Sequence, residues 1–186
     1  MRSIFFALVM LASSASIAAP SEILMIRHAE KPTTGDEGSD LSPRGYERAE
    51  ALADFFTTDP KMTELGQASF IFAGAPKKED GSRRPQETIQ PTADKLGLKV
   101  NLDYMSKDFD QLADDLLHDS KYDGKVVIIC WPHQELPDFA DALGVTKTLD
   151  WPGDTFDRVW KITFDGKKVS SFEDLPQRLL SGDSSK

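Results

Sequence analysis

The chain has 186 residues, 39% of them hydrophobic and 28% charged, with 31 acidic against 22 basic side chains and a formal net charge of −9. That is the size of one ordinary domain with enough apolar residues for a core, and it excludes a wholly disordered or fibrous chain. The acid excess also disfavours a general nucleic-acid or anionic-membrane binder, so an anionic ligand must be met by a local cluster of bases.

The first segment, MRSIFFALVMLASSASIAAP, has a basic start at Arg2, an apolar run from Ile4 to Ala12 and small residues from Ser13 to Ala19. This is the layout of a secretory signal peptide, and the apolar run is shorter than the roughly 20 residues a membrane span needs. Ser16 and Ala18 suit a cleavage site after Ala18, so residues 1–18 are expected to be removed, with an uncleaved anchor as the alternative. Cleavage predicts a secreted or periplasmic protein without stable membrane association. The single cysteine, Cys130, permits no internal disulfide and sits in an apolar run, which predicts a buried core residue.

From there strands and helices alternate. Glu22 to Ile26 is a short apolar run, read as a buried strand. A loop of Gly, Asp, Thr and Ser follows from Thr33 to Asp40. Ser42 then Pro43 reads as an N-cap with proline at the first helical position, and Tyr46, Ala49, Leu52, Ala53 and Phe56 continue an amphipathic helix. Ser69 to Ala73 is a second buried strand, and Pro76 to Arg84 a polar loop. Ile89, Ala93 and Leu96 mark a helix that stops at Gly97. Leu98, Val100 and Leu102 alternate as a third strand. Phe109, Leu112, Ala113, Leu116 and Leu117 form a helical stripe, and Lys125 to Cys130 a fourth strand. Leu136, Phe139, Ala140 and Leu143 form a helix closed by Gly144. Trp160, Ile162 and Phe164, the Asp165-Gly166 turn and Val169 make a terminal hairpin. The pattern predicts one domain over residues 19–180, a frayed tail over 181–186, and a three-layer α/β/α sandwich with a largely parallel sheet plus a C-terminal hairpin.

In such sheets ligands bind beyond the carboxyl ends of the strands. The first strand runs into Arg27 and His28, the fourth into Trp131, Pro132 and His133, and the second into a loop carrying Lys77, Lys78, Arg83 and Arg84. Parallel strands bring these side chains to one edge. Two imidazoles and at least two guanidinium groups in an acidic protein suit a compact dianion, above all phosphate, whose oxygens pair with arginine forks.

These residues also carry a family resemblance. LMIRHAEKP resembles the signature of the histidine phosphatase superfamily, and LSPRGYERAEALA resembles the helix start that follows it there. RPQET, Arg84 to Thr88, is similar to the family's second-arginine segment. VVIICWPHQELPDFADALG is similar to its strand, second histidine and helix. The chain resembles small, insertion-poor, secreted bacterial-type members of the branch that includes phosphoglycerate mutase.

The resemblance implies that His28 is the nucleophile that becomes phosphorylated, and that Arg27, Arg84 and His133 clamp the phosphoryl group. It implies phosphomonoester hydrolysis without a cofactor. Pro132 departs from the glycine the family often has before the second histidine. The glutamate acid of the mutases has no clear counterpart, which argues against mutase activity.

The chemistry is also readable from the residues. Arginines beside a histidine favour its neutral, nucleophilic form, and a backbone acceptor on the other ring nitrogen would fix the tautomer. Attack then splits hydrolysis into two displacements, with the equatorial oxygens held by cationic donors and no metal required. Lys31 stands near enough to reach the pocket mouth and bind substrate. Glu30, Asp103 and Glu135 are the candidate proton donors, with none at all as a fourth possibility. Arg83, Lys77, Lys78 and His118 read as solvated surface, and Trp131 and Trp151 as core. The expected partner is a small polar phosphate ester. Two other functions fit parts of the pattern: a catalytically silent binder of phosphorylated ligands, and a metal module built on His28 and His133, which neighbouring arginines disfavour.

Overall fold

The computed structural model describes residues 19–33, 38–78 and 81–185. The expected signal peptide, part of the Thr33–Asp40 loop and part of the Pro76–Arg84 loop lie outside the described residues.

Within them, six strands form one sheet: β1 (Glu22–Arg27), β2 (Ala68–Ala73), β3 (Val100–Asn101), β4 (Val126–Trp131), β5 (Arg158–Asp165) and β6 (Lys168–Pro176). Four helices cover it: α1 (Pro43–Thr58), α2 (Arg84–Leu96), α3 (Phe109–His118) and α4 (Leu136–Ala142). The strand order is β3-β2-β4-β1-β5-β6. The first four are mutually parallel, and β5 and β6 return antiparallel as the terminal hairpin.

The apolar runs β1 and β4 are buried along their whole length because both faces of the sheet are covered. Alternate residues divide between the two layers. Ile23, Met25, Val127 and Ile129 pack with Leu112 and Leu116 of α3 and Phe139 of α4. Leu24, Ile26, Ile128 and Cys130 pack with Leu52 and Phe56 of α1 and Ile89 of α2. Cys130 is fully buried and burial pushes its thiol pKa up, as a core residue requires.

Two helix ends follow the sequence. The Ser42 hydroxyl accepts from the Gly45 amide at 3.1 Å ahead of Pro43, and Gly97 ends α2 in the left-handed region at φ 67°. Two expectations need correction. The third strand keeps only Val100 and Asn101, because the Asn101 side chain accepts from the Asp103 amide at 2.9 Å and turns the chain; Leu98 and Leu102 pack against the core instead. The segment from Ser181 is not frayed where it is described. Asp183 accepts from both terminal guanidinium nitrogens of buried Arg48, at 3.0 and 2.8 Å, and from the amides of Leu179 and Leu180.

The topology positions the site. The chain leaves β1 towards α1 on one face and leaves β4 towards α4 on the other, and β1 and β4 are neighbours. Diverging connections open a crevice at the carboxyl ends of these two strands. Among the described residues no helix is long and apolar enough to cross a membrane.

Candidate active site

His28 is the first residue beyond β1, and its amide donates to the Trp131 carbonyl at 3.2 Å, so the β1–β4 ladder runs up to it. Its ring Nδ1 lies 2.7 Å from the Ala29 carbonyl. A carbonyl only accepts, so Nδ1 carries the proton and the Nε2 lone pair is free. Ala29 is itself pinned: its amide donates to the Thr88 hydroxyl at 2.8 Å, which donates to the Arg84 carbonyl at 2.7 Å. Burial, joined by the fields of Arg27, Arg84 and His133 and opposed by the Ala29 bond, lowers the His28 pKa to about 4. The imidazole is therefore neutral at ordinary pH.

Arg27 ends β1 and is 2% exposed. Its Nη1 faces three carbonyls of the 152–155 loop: Pro152 at 3.4 Å, Gly153 at 2.9 Å and Thr155 at 3.1 Å. The Phe156 ring centroid lies 3.9 Å from the guanidinium carbon, and Nε is buried without a partner among the described residues. Burial lowers the Arg27 pKa to about 10, against the opposing fields of Glu30 and Asp154, and the group stays charged.

His133 follows β4 by two residues and packs on Gly153, where an added Cβ would stand 3.2 Å from its Nε2. Glycine lets the loop come this close. Among the described residues the His133 Nδ1 is buried without a partner, and burial, with the fields of Arg27 and Lys31, lowers its pKa. Arg84 opens α2, and its guanidinium is held by the carbonyls of Asp40, at 3.0 Å, and Gly38. Lys31 is exposed on the wall of a groove of about 630 Å³ that Glu30, Pro32, Pro43, Gly153, Asp154 and Phe156 also line. The structure thus brings Arg27, His28, Arg84, His133 and Lys31 to one end of the sheet.

The acid candidates fare differently. Glu30 is not free: both its oxygens accept from Arg48, at 2.8 to 3.1 Å, and one from Arg44 at 3.2 Å. Asp103 is exposed beyond the edge strand and bonded to Asn101. Glu135 pairs through Oε1 with Lys107 at 3.0 Å, while its Oε2 is buried and, among the described residues, unpartnered. Arg83, Lys77, Lys78 and His118 are exposed, Arg83 on Asp40 and His118 on Asp114. Trp131 is core. Trp151 is also buried, but its Nε1 donates to the Thr155 carbonyl at 2.9 Å and so props the loop that grips Arg27.

Gly153, Asp154 and Phe156 carry no signal in the sequence that marks them as part of the site, while Thr88 closes the RPQET segment without its own role being readable there. The run WPGDTFD belongs to no regular element, and its Pro-Gly pair signals only a turn. Among the described residues no group of three or more His, Cys, Asp or Glu side chains is arranged to hold a metal ion. The arrangement offers a neutral imidazole nucleophile facing fixed positive charge, which suits phosphoryl transfer.

No protein-family model matches the chain, and no curated protein matches it in sequence. Solved structures match it in fold. The protein histidine phosphatase SixA complexed with tungstate aligns over 84% of this chain and 97% of its own, at 13% identity and a TM-score of 0.59. Phosphoglycerate mutase from Bacillus anthracis aligns over 86% and 94%, at 12% identity and a TM-score of 0.55. A phosphoserine phosphatase mutant from Entamoeba histolytica, in complex with phosphoserine, aligns over 81% and 95%, at 12% identity and a TM-score of 0.50. The chain therefore has the phosphoglycerate-mutase-like α/β fold that these proteins share.

Proposed function

We propose that this protein is a phosphatase that hydrolyses phosphomonoesters through a phosphohistidine on His28. The observation that carries the reading is the 2.7 Å contact between His28 Nδ1 and the Ala29 carbonyl in a buried, cationic pocket. It leaves Nε2 unprotonated and aimed by a fixed ring.

In the first displacement the Nε2 lone pair attacks phosphorus, the ester P–O bond breaks, and the departing alkoxide takes up a proton. In the second, water attacks phosphorus, the N–P bond breaks, and inorganic phosphate leaves. The unpartnered Nε of Arg27 and the fields of Arg84 and His133 favour the charge that collects on the equatorial oxygens. With that charge met by side chains, the reaction needs no metal. Fold neighbours named as phosphatases, one holding tungstate and one phosphoserine, support the reaction class. The reading includes export with loss of residues 1–18, supported by the layout of that segment. A mass beginning at Ala19 in the exported fraction checks it.

The test is a screen of phosphate monoesters with the purified mature chain, with and without EDTA, using His28→Ala as the blank. Turnover that survives EDTA and vanishes in His28→Ala is expected. Turnover that persists in His28→Ala, or that EDTA abolishes and one divalent ion restores, overturns the reading.

A further inference from the structure

Expelling an alkoxide from phosphorus needs a proton, and the three carboxylates that the sequence places near His28 do not offer one. Glu30 is locked between Arg44 and Arg48, Asp103 stands at the sheet edge, and Glu135 has one oxygen on Lys107 and the other sealed from solvent. A fourth carboxylate is better placed. Asp154 is exposed on the wall of the 630 Å³ groove, coupled through space to Arg27 but, among the described residues, in no salt bridge. Its hydrogen-bond contact is the Thr155 hydroxyl at 3.5 Å. Its position is set by its neighbours. The Gly153 carbonyl accepts from Arg27 at 2.9 Å, the Gly153 backbone abuts His133, and the Phe156 ring lies over Arg27 with its centroid 6.2 Å from that of His28. Gly153 and Phe156 therefore line the groove on one side and touch His133 and Arg27 on the other.

The other walls of the groove indicate what it holds. Pro32, Pro43 and Phe156 are apolar, and Glu30 and Arg44 neutralise each other. Lys31, Thr33 and Ser42 complete the lining, and the apolar side chains among them gain from covering an apolar body.

We propose that this groove receives the organic part of the substrate, an alcohol with an apolar body rather than a small polar one, and that Asp154 is the catalytic proton donor. The proposal rests on the phosphohistidine reading. As the His28 Nε2–P bond forms and the ester P–O bond breaks, the Asp154 carboxylic acid gives its proton to the departing oxygen. In the second displacement the carboxylate takes a proton from the attacking water, the O–P bond forms and the N–P bond breaks, which restores both groups.

The test compares p-nitrophenyl phosphate, whose leaving oxygen needs no proton, with 2-phenylethyl phosphate, whose oxygen does, and with glycerol phosphate. Phosphoenzyme formation is followed by rapid quench in the wild type, Asp154→Asn and Glu135→Gln. Asp154→Asn should slow phosphorylation by 2-phenylethyl phosphate by about 10²–10³-fold and by p-nitrophenyl phosphate by less than about threefold. The wild type should favour 2-phenylethyl phosphate over glycerol phosphate by about tenfold or more in kcat/KM. A purely structural role for Asp154 would slow both esters alike, and equal losses or no loss overturn the proposal. A selective loss in Glu135→Gln alone overturns it in favour of Glu135. Equal use of glycerol phosphate overturns the apolar subsite. Failure of the wild type to form phosphohistidine with p-nitrophenyl phosphate overturns the reading beneath it instead.

Discussion

Arg27 and Arg48 are buried alike, each 2% exposed, and they do opposite things with their charge. Arg48 is surrounded by carboxylates: Glu30 and Asp183 both bond it, with Gln177 at 3.1 Å. Burial alone would lower its pKa, but the bonds to Asp183 and Glu30 carry it upward, and the field of the cluster cancels locally. Arg27 meets carbonyls and an aromatic face. Neutral acceptors hold its position without cancelling its charge, so the charge stays available to an anion. The contrast separates an arginine built to hold the fold from one suited to holding a ligand. Chain position alone does not, because both lie in the segment around the same strand and helix.

Breaking the Arg48 cluster should have the largest effect, and it should fall on stability. Arg48→Leu leaves Glu30 and Asp183 with only the half-exposed Arg44 to compensate them, at an expected cost of about 3 kcal/mol in chemical denaturation. Adding Glu30→Gln and Asp183→Asn should recover most of it. Arg27→Lys inverts the pattern. It keeps the charge but loses the planar fork, so turnover should fall about 10²-fold and inorganic phosphate should inhibit less, while the denaturation midpoint moves little.

The pH dependence sharpens the comparison further. The unfolded His28 ring takes up a proton near pH 6.5, but the folded one only near pH 4, because burial disfavours its cation. Its contribution to stability is therefore complete above pH 6.5 and is lost as pH falls from 6.5 towards 4, on the order of 3 kcal/mol in all. An NMR titration of the His28 ring should show it neutral at pH 5. The smallest effect expected is for Gly153→Ala. Its Cβ would stand 3.2 Å from His133 Nε2, so the loop or the ring must give by a few tenths of an ångström. Turnover should drop about tenfold with an unchanged melting temperature.

What the sequence reveals follows from what is local. The runs that become β1 and β4 are continuous and apolar, the Ser42-Pro43 cap is written in two adjacent residues, and placing bases at strand ends needs only strand direction. Arg27, His28, Arg84 and His133 are therefore legible in the order of residue types along the chain. The Arg48 cluster is not, because its partners at positions 30, 177 and 183 are distant in sequence and nothing local marks them. The same blindness makes Glu30 look available as an acid, since its closeness to His28 in the chain hides its pairing with α1. The 152–156 loop is silent for a related reason: its carbonyls grip Arg27, and carbonyls leave no trace in the residue types.

The measurement that reaches the central claim most directly is phosphate trapped on the protein. Brief mixing with p-nitrophenyl phosphate, quenching without acid and peptide mass analysis locate it. The account predicts phosphate on His28 in the wild type and in His133→Ala, whose turnover should fall about 10²–10³-fold for the loss of one preorganised donor. It predicts none in His28→Ala. Phosphate on His133 in His28→Ala, or normal turnover by that variant, would contradict the assignment of His28 as the nucleophile.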